Sequence, residues 1–152
     1  MAAPDPEHPF QIEFYDDPDT GTEPVREWML EDLTRYQRRA LGVALYEVLQ
    51  RRGVDVCAGE YGKALGQGLF EFRLRHDADE IVAMHTAQTP KGEADEGRVL
   101  MRVFCHAFGD RIILLVGGYD KAADPGARRQ AKEIEVARKR LQEFRSRPSS
   151  DH

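Results

Sequence analysis

At 152 residues, 41% hydrophobic and 32% charged, the chain reads as one soluble globular domain with enough length for a core. A formal net charge of −5 argues against a generic nucleic-acid coat, and no apolar run reaches the length of a membrane span. The start lacks the basic and apolar segments of a signal peptide, and Cys57 and Cys105 lack ligand spacing. Reduced thiols and a cytoplasmic location are therefore expected. Charge is uneven along the chain. Residues 1–35 hold ten acids and two bases, whereas residues 126–145 hold seven bases and three acids. Any polyanion site is expected toward the C-terminal half.

Residues 1–9 contain three prolines and little to pack, and predict a flexible tail before a domain over 10–145. Phe10, Ile12 and Phe14 alternate with polar residues, the pattern of a half-buried strand. A turn-rich loop over 16–21 leads to Thr22, a helix start with Pro24 in the first turn. Thr34 and Gln37 have the spacing of a capping box. Leu41, Ala44, Leu45, Val48 and Leu49 follow at helical spacing until Gly53. The pair predicts an αα-hairpin.

Residues 54–68 are glycine-rich and predict an irregular loop, which carries Lys63. Strands are expected over 69–75 and 98–108, with an acidic insertion, 76–97, between them. Within it, residues 80–85 suit an extension of the first strand or an added one. Gly109-Asp110 turns the chain into an apolar strand over 111–116, and Gly117-Gly118 suits a turn. Asp124 as cap and Pro125 as first residue open a basic helix with Ile134, Ala137, Leu141 and Phe144 on its apolar face. The tail 146–152 is expected to be disordered. The fold class is α+β: a small, antiparallel-rich twisted sheet with an N-terminal αα-hairpin and a C-terminal helix.

This order resembles the RelE/ParE toxin superfamily, closest to its phage-derived, HigB-like branch. The residues that carry the likeness are Leu69-Phe70-Glu71-Phe72-Arg73, Arg102-Val103-Phe104, Phe108-Gly109-Asp110-Arg111-Ile112-Ile113-Leu114-Leu115, Gly117-Gly118-Tyr119-Asp120-Lys121 and Glu133-Ile134-Glu135-Val136-Ala137. The resemblance implies a ribosome-dependent mRNA endonuclease held inactive by a cognate helix-turn-helix antitoxin. It also implies a RelE-like fold and an RNA contact near Tyr119.

Cleavage by an RNA 2′-hydroxyl needs a base, cations for the charged phosphorane and an acid for the leaving oxygen. The sequence shows no metal-nuclease spacing, so neither metal nor cofactor is expected. Alternation places Arg73 and Arg102 on one sheet face, where both can meet a phosphate. The plainer reading pairs Arg73 with Glu71. Tyr119 suits base stacking or proton donation, against an ordinary half-buried tyrosine. His106 is the histidine candidate for acid or base, ahead of His76 and His85, against a structural strand histidine. Arg75, Lys121, Lys63, Arg128 and Arg129 are candidate RNA contacts, against simple solvation. Two rivals keep the fold without cleavage: a module that binds a protein partner, and a gyrase-directed toxin.

Overall fold

Apolar residues recur along four of five strands, the glycine-flanked strand Gly62–Gly66 being the exception, and the apolar stripes of the helices cover both sides of the sheet they form. The structure is a computed structural model and describes residues 6–75, 80–81 and 99–148. The strands are β1 (Gln11–Phe14), β2 (Gly62–Gly66), β3 (Leu69–Leu74), β4 (Met101–Phe108) and β5 (Ile112–Asp120), in the order β1-β5-β4-β3-β2. β1 runs parallel to β5, and every other pair is antiparallel. The fold is α+β with a mixed sheet and a C-terminal helix.

Helix α1 (Pro24–Glu27) opens with Pro24, with Glu23 rather than Thr22 at its cap, and passes into a π-helical turn, Trp28–Asp32. The Thr34–Gln37 capping box forms and starts α2 (Arg35–Ala44). A second π-helical turn, Leu45–Leu49, leads to α3 (Gln50–Arg52). Gly53, at φ +56°, ends that run, because a left-handed backbone suits glycine. A 3₁₀ segment, Gly53–Ala58, then leads into β2. The predicted loop over 54–68 thus contains an edge strand, whose glycines hid its alternation.

Two cores sandwich the sheet. Leu41, Val48 and Leu49 pack on one face against Phe70, Phe72, Val103 and Leu115. Helix α4 (Ala127–Ser146) packs Ala137, Leu141 and Phe144 on the other, against Leu69, Phe104, Leu114 and Val116. Gly126 caps α4. The predicted cap Asp124 instead accepts the Gly126 amide at 3.4 Å, which turns the chain before the helix.

β5 continues through the two glycines expected to turn. Cys105 faces Leu115 while Phe104 faces Gly117, so Val116 is an extra residue in the ladder. This bulge resets the alternation of β5. Tyr119 therefore points to the α4 side of the sheet, where strict alternation from Leu115 would have put it on the opposite side. A Cβ on Gly118 would lie 2.6 Å from the Trp28 ring, so glycine lets the indole seat on the strand.

Of the two expected tails, the described residues 6–9 and 146–148 include side chains that contact the domain. His8 is buried, its ring 3.8 Å from that of Tyr46. Arg147 binds Asp16 and Glu143 and lies over the Tyr15 ring. Most of the insertion 76–97, with His76 and His85, lies outside the described residues. Glu80 and Ile81 are helical rather than extended, and Ile81 is buried.

Candidate anion site

The antiparallel register of β3, β4 and β5 brings three predicted residues into one row: Arg73 faces Arg102, and Arg102 faces Tyr119. The next row contains Lys63 of β2, Glu71 and Phe104, on the same face. Glu71 is the central group. It is fully buried and accepts hydrogen bonds from Arg73 Nε at 2.8 Å and Gln130 Nε2 at 3.0 Å. Arg102 Nε stands 3.8 Å from the same carboxylate, an ion pair too long for a hydrogen bond. Gln130 also accepts from Lys121 Nζ at 3.1 Å, which ties β3, the end of β5 and α4 together.

Among the described residues, Arg73, Arg102 and, through Gln130, Lys121 gather at this carboxylate, and Arg75 lies near enough to act on Arg102 and Lys121. Burial lowers the Lys121 pKa, and Arg102, Arg73 and Arg75 lower it further against the pull of Glu71. Burial likewise lowers that of Arg102, opposed by Glu71 and reinforced by Arg73 and Arg75. These groups thus feel one another as a single positive patch. Arg75 is exposed at the end of β3 and has no partner among the described residues. Lys63 is likewise exposed, on a strand rather than in a loop. An anion held here by several cations would relieve their repulsion, and guanidinium groups suit phosphate oxygens.

Two members are less accessible than the sequence suggested. Arg102 is 4% exposed and Tyr119 1%, and among the described residues neither Arg102 Nε nor Tyr119 Oη has a hydrogen-bond partner. Arg129 covers the Tyr119 ring with its guanidinium 5.5 Å from the centroid, and the ring lies parallel to Phe104. The ring thus has no open face for a base. Its hydroxyl, beside Arg102, is the group with unused capacity. Burial raises its pKa, with Arg102 pulling the other way.

Other candidates fall elsewhere. His106 is four residues beyond Arg102 on β4, roughly 13 Å along an extended strand. Its Nδ1 is 2.8 Å from the Gly68 carbonyl and its ring stacks on Phe108. Burial lowers its pKa, opposed by the Gly68 contact and aided by Arg145. Arg129 pairs with Glu133 and Asp124, while Arg128 and Lys132 are exposed on α4. Arg138 donates to the Leu65 and Gly66 carbonyls of β2. Among the described residues, no three His, Cys, Asp or Glu side chains cluster as a metal site would require.

No family model and no curated protein matches this sequence. Glu71 and Gln130 are the site residues that sequence reasoning missed. From the sequence, Glu71 reads only as a partner of Arg73. Its position among apolar core residues of β3 was a usable signal, since a buried carboxylate needs partners.

Proposed function

We propose that the chain is an endoribonuclease of the RelE/HigB type, cutting mRNA on the ribosome and held in check by a helix-turn-helix antitoxin. The observation that carries this reading is the Arg73–Arg102–Tyr119 row around Glu71. Arg73 presents a guanidinium to the scissile phosphate, with Arg75, Lys121 and Lys63 guiding the flanking backbone. Arg102 stabilises the charge that develops as the 2′-hydroxyl attacks and its proton passes to water. Glu71 is a positioning residue that orients both guanidiniums. The Tyr119 hydroxyl donates to a phosphate or leaving oxygen once the first turn of α4 shifts from it. This chemistry requires no metal or cofactor. The partners are thus mRNA on the ribosome and the antitoxin, and the setting is the cytoplasm.

The test is induction of the protein alone in a bacterial host. Growth arrest with transcripts cut inside coding regions is expected. Normal growth and intact transcripts at confirmed soluble expression would overturn the reading. That outcome would favour a module of the same fold that binds a protein partner without cleavage. The burial of Arg102 and Tyr119 is the observation on that rival's side.

Among the described residues no helix is long and apolar enough to cross a membrane. The reading calls for no membrane partner.

A further inference from the structure

β1 is a sheet edge, and its backbone is open in the middle. The Gln11 and Tyr15 amides bond to the Arg111 and Leu115 carbonyls of the β5 side at 2.8 and 3.0 Å. By alternation, Ile12 and Phe14 turn their N–H and C=O groups outward. The preceding outward residue, Phe10, is closed off: its amide donates to the Gln50 carbonyl at 3.0 Å, and its carbonyl accepts from the Gln50 side chain. No such cap covers Ile12 or Phe14 among the described residues. β1 also lacks the lysine, proline or bulge that usually protects an edge.

A groove of ≈ 590 Å³ runs beside this edge, between β1 and α1 with its π-helical turn. Phe14 and Leu30 give it an apolar floor, and Leu30 is 54% exposed. Its rim carries Asp16, Glu23 and Glu27 against one cation, Arg26, which is already paired with Glu23 at 3.2 Å. The rim accepts a guanidinium in the chain itself: Arg147 Nη1 lies 2.8 Å from Asp16 Oδ1. The surrounding chain is acidic as well, with ten acids and two bases over residues 1–35.

We propose that this edge and groove bind an extended segment of a partner protein, apolar in the middle and bearing Lys or Arg at its ends, as a sixth strand beside β1. Backbone bonds to Ile12 and Phe14 supply affinity, and the side chains set specificity. Apolar side chains rest on Phe14 and Leu30 while a basic end meets Glu27, and Asp16 and Glu23, already paired with Arg147 and Arg26, add to the acidic surroundings. The site is distinct from the cation patch, because the groove shares no lining residue with it.

The test titrates the intact protein with the capped peptide Lys-Thr-Val-Thr-Val-Thr-Arg, whose alternate residues present Lys, Val, Val and Arg to one side. Amide exchange is read residue by residue. Exchange at Ile12 and Phe14 should slow, while Gln11 and Tyr15, already bonded, should be unchanged. The same peptide N-methylated at both valines, or with Glu at both ends, should bind at least about tenfold more weakly. Glu27→Lys and Leu30→Asp, two changes at exposed positions, should each weaken binding comparably in proteins with unchanged circular dichroism. Unchanged exchange at Ile12 and Phe14 would overturn the proposal. So would equal binding of either control peptide or indifference to both substitutions. Protection of those amides in the free protein, with sedimentation as a dimer, would assign the edge to a second copy and also overturn it.

Discussion

At Arg102 the α4-facing side of β4 meets Glu71, Arg73, Tyr119 and, through Gln130, Lys121. At His106 the same side of the same strand meets the Gly68 carbonyl, Phe108 and, through Phe108, Phe144. The two ends share a strand, a face and a covering helix. They differ in what their neighbours leave unsatisfied. Around His106 the polar atom is bonded and the rings close on one another. Around Arg102, among the described residues, Arg73, Arg102 and Lys121 gather at one carboxylate, and two buried polar atoms have no hydrogen-bond partner. An arginine or histidine on a strand is therefore not a site in itself. The excess of charge and of unused donors separates a candidate site from a packed end.

The largest difference between the ends should appear on truncation. Glu71→Ala leaves Arg102 buried without its carboxylate and should cost about 3–5 kcal/mol of stability in chemical denaturation. Arg102→Ala exposes the reciprocal problem and should cost about 3 kcal/mol. Loss of less than about 1 kcal/mol in both would mean that the buried pair holds nothing together. The burial of Arg102 was not legible in the sequence, because alternation says which face a side chain takes but not whether a helix covers that face.

Arg73 is 24% exposed and should separate function from folding. Arg73→Ala is expected to lower cleavage by about a hundredfold, about 3 kcal/mol of transition-state stabilisation, with about 1–3 kcal/mol of stability lost because the buried Glu71 gives up one hydrogen bond and keeps that of Gln130. Unfolding instead would make Arg73 a structural partner of Glu71 and nothing more. Tyr119→Phe removes a hydroxyl that the fold leaves unbonded, so stability should hold or rise slightly while cleavage falls about tenfold or more. Full activity in Tyr119→Phe would remove the hydroxyl from the mechanism.

The smallest effect belongs to the packed end. The folded pKa of His106 is depressed below its ordinary 6.5, so its neutral form is favoured by folding. Its contribution is thus present above about pH 6.5 and is lost as pH falls through the lower folded value. The stability difference between the protein and His106→Gln should narrow on acidification from pH 7.5 to 5. A difference that widens would mean that the imidazole is held protonated, contrary to its burial.

The sequence made most of the frame legible. The Thr34–Gln37 box, the alternation of Phe70, Phe72 and Leu74, and the apolar face of α4 each state a local rule that tertiary packing left intact. β2 escaped because Gly62, Gly66 and Gly68 read as punctuation. The true course of β5 escaped because a bulge is a property of pairing between strands, with no periodic mark in one. For the candidate site, the shared face of Arg73 and Arg102 was legible from alternation, and the register adds Tyr119 to their row. Their burial, and the joining role of Gln130 fifty-nine residues from Glu71, depend on where α4 lies.

The claim that the Arg73–Arg102 end receives a phosphate backbone is tested most directly by following side-chain Nε–H signals of the arginines during titration with a short 2′-O-methylated RNA, which cannot be cut. Shifts and slowed exchange at Arg73 and Arg102, with the His106 ring and Arg128 unmoved, are the predicted result. Shifts confined to Arg128 and its neighbours on α4, or equal at both ends of β4, would contradict it.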